Sequence, residues 1–180
     1  MHQHLAEVFA HLDDSGTRLR TAMAAIPAAQ RRQRPGAGRW SAIDVIEHLA
    51  LVERRFGGLL APCIDEAMAR GLPQETGTRV PLPAEMTTRL VDRTEKRVAP
   101  ETALPTGALD EAAAWAALDA ARARLRDTVL RADGLALDAA RCSHPRFGEL
   151  SVYQWVELIA AHARRHVAQI QELRAELSKA

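Results

Sequence analysis

Four stretches of the chain carry apolar residues at helical spacing, each bounded by residues that start or stop a helix. Leu5, Val8, Phe9, Leu12, Leu19 and Met23 predict a first helix over residues 3–25, ended by Pro27 and weakened where Asp14, Ser15 and Gly16 cross the stripe. Ile43, Val45, Ile46, Leu49, Val52 and Phe56 open a second, running from Ser41 to about Arg70. Ser41 and Asp44 form a capping-box pair, each side chain satisfying an amide that the first turn leaves unpaired, and Gly71 is a plausible stop. Trp115, Leu118, Ala121, Leu125 and Val129 mark a third helix over residues 110–131, closed by Asp133 and Gly134. Val152, Val156, Ile159, Ala163, Ile170 and Leu173 mark a fourth, opened by a second capping box, Ser151 with Gln154. No alternating strand pattern stands out. The expectation is an all-α, four-helix bundle forming a single domain over residues 1–180.

The connections constrain the order of the helices. Residues 27–40 read as a loop whose arginines make a small basic patch, either solvated or an anion-binding rim. Residues 71–107 carry Pro73, Pro81, Pro83, Pro100 and Pro105, with a short helix expected over 84–97. A connection this long suits an overhand crossover that lets the second and third long helices run parallel. Residues 134–150 read as a loop.

Composition supports helix: 47% of residues are hydrophobic but only 4% aromatic, because much of the apolar content is alanine. A net charge of +1 with interspersed signs argues against a nucleic-acid coat or a binder of anionic membranes. No secretory signal and no long unbroken apolar run are evident. Two cysteines, Cys63 and Cys142, make no disulfide framework, so a reducing, cytoplasmic setting is expected.

Candidate chemistry centres on histidine. His162 and His166 stand one helical turn apart, on or beside the apolar stripe of the last helix, and His48 sits at the edge of the buried face of the second. Three neutral imidazoles suit zinc, nickel, iron or cobalt and leave open positions for water or substrate. The alternative is three histidines satisfied by a local hydrogen-bond network. A di-iron bundle needs glutamate three residues before its helical histidines, but Val45, Ile159 and Ala163 stand there. A zincin needs glutamate after the first histidine, and residue 163 is alanine. Cys142 with His144 is a weak soft-ligand pair. His2, His4 and His11 lie near a chain end and are expected to be solvated.

The segments Arg39–Leu49 and His162–Ile170 resemble the DinB-like (YfiT-like) superfamily. Ala99-Pro100 followed by Pro105, and His144-Pro-Arg-Phe-Gly148 before the last helix, fit the same pattern, so the resemblance covers nearly the whole chain. It implies an up-down-down-up bundle, usually a homodimer, with a divalent metal held by His48, His162 and His166. Characterised relatives include thiol-dependent S-transferases and a mycothiol-dependent maleylpyruvate isomerase. The implied activity is therefore a metal-dependent thiol transferase or isomerase, acting on a small electrophile with a low-molecular-weight thiol such as mycothiol, bacillithiol or glutathione. The other reading is a non-catalytic bundle with a structural metal or a protein-interaction role. Arg164, Arg165 and the Arg31–Arg34 loop are candidates to hold a carboxylate on the thiol, and Glu47 and Glu157 to orient a histidine ring.

Overall fold

The computed structural model describes residues 1–179. Its helices are α1 (Gln3–Ala24), α2 (Ala42–Ala69), α3 (Ala84–Val91), α4 (Glu111–Leu130) and α5 (Val152–Leu177), with strands β1 (Arg141–His144) and β2 (Gly148–Ser151) between α4 and α5. The starts of α2 and α5 are set by the two capping boxes, with Ser41 and Ser151 accepting from the amides of Asp44 and Gln154, which reach back to the serine amides. Asp110 caps α4 by accepting from the Ala113 amide.

Side-chain pairs fix the helix directions. Arg20 meets Asp119 and Arg126 meets Asp13, so α1 and α4 are antiparallel. Glu53 meets Arg122 and Asp65 meets Arg131, so α2 and α4 are parallel, as the long crossover requires. His48 lies against His166 and Phe56 against Trp155, so α2 and α5 are antiparallel. His4 meets Tyr153 and His11 meets Glu157, so α1 and α5 are parallel. The bundle is up-down-down-up.

Its apolar core falls into two clusters. One holds Leu5, Phe9, Leu60, Leu125 and Trp155; the other holds Leu19, Met23, Ile46, Leu118 and Ile170. Between them a buried polar layer crosses the bundle. Glu53, fully buried, takes two hydrogen bonds from Arg122, which also reaches Ser15. This explains the interruption of the α1 stripe: a Cβ on Gly16 would stand 2.5 Å from an Arg122 guanidinium nitrogen. On α5 the break between the clusters falls at His162, between Ala161 and Ala163.

Four expectations change. The 134–150 connection is not all loop: β1 and β2 form an antiparallel hairpin with Cys142 opposite Leu150, turning through residues 145–147 into Gly148, whose φ of 72° favours glycine. Four-residue strands are too short to show a repeat. The short helix stops at Val91, six residues early, because the Asp92 carboxylate accepts from the Thr94 amide and hydroxyl and turns the chain. Cys63 and Cys142 are joined as a disulfide that ties α2 to β1. His4 is not solvated but packs edge-on against Tyr153, with its side chain 16% exposed. No helix among the described residues is long and apolar enough to cross a membrane.

Candidate metal centre

His48 comes from the first turns of α2, and His162 and His166 come from the middle of α5. Antiparallel packing brings the three to one level. One ring nitrogen from each lies within 4.8 Å of the others. His48 and His166 are buried, and His162 is partly exposed. Trp40, just before the α2 cap, lies 4.7 Å from the His48 ring.

Hydrogen bonds fix the ring orientations. His48 Nδ1–H donates to the Ala103 carbonyl at 2.7 Å, and His166 Nδ1–H donates to Gln169 Oε1 at 2.8 Å. Each bond leaves its Nε2 lone pair free. His162 Nε2 lies 3.1 Å from His166 Nε2. Nitrogens held about 2.0–2.1 Å from one zinc ion stand about that far apart, so the spacing fits two ligands of one ion.

All three rings are held neutral, the form that binds metal. Burial lowers His48 against the opposing pull of the Ala103 carbonyl. Burial pushes His162 down to about 3, reinforced by the neighbouring His48, with which it would compete for a proton, and by the charge of Arg165 and Arg97. His166 is lowered well below its ordinary value by burial and then by His162 and His48.

Residues 11–170 match the DinB superfamily. The chain belongs to the DinB superfamily. It is 28% identical over 150 residues to the uncharacterised protein YuaE of Bacillus subtilis (strain 168), covering 82% of this chain and 85% of that one. TT2238, a solved four-helix bundle protein, shares the fold with a TM-score of 0.57 at 22% identity, over 93% of this chain and 98% of that one.

In this member of the superfamily the three histidines line a cavity of ≈ 870 Å³, within the range that holds small ligands. The end of α3 and the segment after it form one wall, the β1–β2 turn forms another, and Gly38, Arg39 and Trp40 before α2 close the side. Apolar contacts come from Val52, Phe56 and Leu158, and much of the rim is basic.

Several expected roles move to other residues. Glu47 does not orient a histidine; its carboxylate accepts from the Thr106 amide and hydroxyl and the Gly107 amide. Glu157 accepts from Arg79 and the Leu82 amide. The ring-orienting acceptors are the Ala103 carbonyl, which no side-chain pattern could reveal, and Gln169, whose place three residues after His166 is a readable signal. Arg31 pairs with Glu111, Arg34 with Asp44, and Arg32 donates to the carbonyls of Gly107 and Leu109, so these three arginines tether the loop, and only its last residues, Gly38 to Trp40, reach the cavity rim. Arg165 does line the cavity, whereas Arg164 lines a separate small pocket beside His11. Cys142 is committed to its disulfide, so it forms no ligand pair with His144.

Proposed function

We propose that His48, His162 and His166 hold one divalent metal ion, with zinc, nickel or iron suiting the donors, in a single-domain thiol-dependent transferase or isomerase. The observation that carries this reading is three neutral imidazoles, two of them oriented by hydrogen bonds, on the wall of a cavity large enough for a thiol and an electrophile. A bound divalent metal supplies Lewis acidity and keeps a coordinated thiol deprotonated.

The chain's own residues do the rest. Ala103 and Gln169 hold two rings in the ligand tautomer. Phe56, Val52 and Leu158 exclude water from the space beside them. Both cysteines are paired, so the nucleophilic sulfur comes from the small thiol rather than from the protein. A purely structural metal favours a closed set of four protein ligands, whereas three ligands opening on a cavity favour chemistry.

The test is metal analysis of the purified chain with His48→Ala, His162→Ala and His166→Ala beside it. About one equivalent of metal is expected in the wild type, with at least a tenfold loss of affinity in each variant. Metal-dependent consumption of glutathione, mycothiol or bacillithiol with a reactive electrophile should follow the same series. Wild-type protein that takes up no zinc, nickel or iron on reconstitution overturns the proposal. Metal uptake without loss of thiol from any pair leaves the non-catalytic reading in its place.

A further inference from the structure

Two buried hydrogen-bond donors on the wall of the large cavity have no acceptor among the described residues: His144 Nε2 and Arg97 Nε. His144 is 8% exposed. Its Nδ1 accepts from the amides of Arg146 and Phe147, at 3.0 and 3.2 Å, so the proton of the neutral ring is on Nε2. The ring is clamped by Trp155 and Phe147, with centroids 4.7 and 4.8 Å away, and cannot swing out to find a partner without losing that packing. Arg97 is held by one bond from its terminal nitrogen to the Arg89 carbonyl, with its side chain 14% exposed. An unpaired buried donor costs about 1–3 kcal/mol, so two on one cavity wall call for an acceptor-rich occupant.

The charge around them selects the kind of occupant. Arg39 and Arg93 on the rim are paired with Glu176 and Glu172. Arg165 is buried with its guanidinium donating only to the neutral carbonyls of Leu90, Asp92 and Glu95. Arg55 donates to the Thr102 hydroxyl, and Arg97 comes no nearer to a carboxylate than 3.9 Å, from Glu95. The cavity therefore carries positive charge without matching carboxylates, beside two donors that lack acceptors.

We propose that this wall is an anion subsite, in which His144 and Arg97 donate to a carboxylate of a small organic ligand and Arg165 and Arg55 supply the balancing charge. The subsite shares its cavity with the histidine cluster, so it names the substrate class for the proposed reaction: at least one of the two reactants is an organic acid. It deepens the metal-centre reading in that respect, but the anion contacts themselves need no metal. His144 acts here as a positioning residue, through its N–H.

The test uses calorimetric titration of the full-length chain, stripped of metal, with succinate, neutral succinamide and inorganic phosphate as probes. Succinate should bind at least tenfold more tightly than succinamide. Arg97→Gln and His144→Phe should each weaken succinate by about tenfold, as expected for losing a charge-assisted or buried hydrogen bond. His144→Phe keeps an aromatic ring against Trp155, and Arg97→Lys keeps the charge while removing the Nε–H, so folded variants are available for each arm. The metal-stripped wild-type chain should bind succinate without added zinc, nickel or iron. Phosphate that binds more tightly than succinate, with the same dependence on Arg97 and His144, overturns the carboxylate assignment. Equal binding of succinate and succinamide overturns the proposal, as does wild-type affinity in the folded variants. Succinate binding that appears only after zinc loading and vanishes in His48→Ala also overturns it, since the carboxylate then sits on the metal. Metal uptake without anion binding sinks the subsite alone; anion binding without metal uptake sinks the metal centre alone.

Discussion

His162 shows how one residue's surroundings set its chemistry. Its imidazole is held at about 3, while the ordinary value in an unfolded chain is 6.5. Between those values the unfolded chain binds the extra proton and the folded chain does not, so stability is complete above 6.5 and is lost as pH falls toward 3. His48 and His166 are lowered too and act with the same sign. Urea midpoints should therefore fall on going from about pH 7.5 to about pH 5, and the fall should be smaller in His162→Leu. A midpoint that rises on acidification contradicts this account. His48, His162 and His166 were readable because a one-turn spacing and an apolar flank place side chains without knowledge of the partner helix. The roles of Glu47 and Glu157 are not legible in the same way, because a carboxylate close to a histidine on one helix gives no sign that backbone amides of a distant segment will claim it.

At the scale of elements, the crossover between α2 and α4 matters more than its irregular sequence suggests. Glu47 anchors Thr106 and Gly107, and the same segment presents the Ala103 carbonyl to His48. Glu47→Ala should destabilise the fold by about 1.5–3 kcal/mol, the range for hydrogen bonds to a charged group. By freeing Ala103 it should also weaken metal retention by about 10–100-fold in a chelator competition. Unchanged retention would detach the crossover from the site. The hairpin has a comparable role: Trp155 Nε1–H donates to the Cys142 carbonyl, and the disulfide closes a loop with a sequence separation of 79. Reduction, or Cys63→Ala with Cys142→Ala, should cost about 2–4 kcal/mol in denaturant titrations without changing helix content. The pairing of Cys63 with Cys142 depends on α2 lying beside β1, which their spacing in the sequence does not disclose.

For the whole molecule, the polar layer is the feature that sets two core clusters apart. Burial raises the Glu53 carboxyl while Arg122 opposes it. Arg122→Ala should lose about 3–5 kcal/mol by stranding a buried charge, whereas Glu53→Leu with Arg122→Met should recover most of it. A double variant as unstable as the single one would mean that the layer is needed for packing. The sequence by itself determined the four long helices, their caps, the long crossover and the three histidines, because helical periodicity and capping are local properties of the chain. Tertiary structure decided which groups orient those histidines, that Cys63 meets Cys142, why Ser15 and Gly16 interrupt α1, and that His144 and Arg97 line one cavity. Each of these depends on contacts between residues far apart in the chain, and backbone carbonyls and amides, present at every position, take part without marking the sequence.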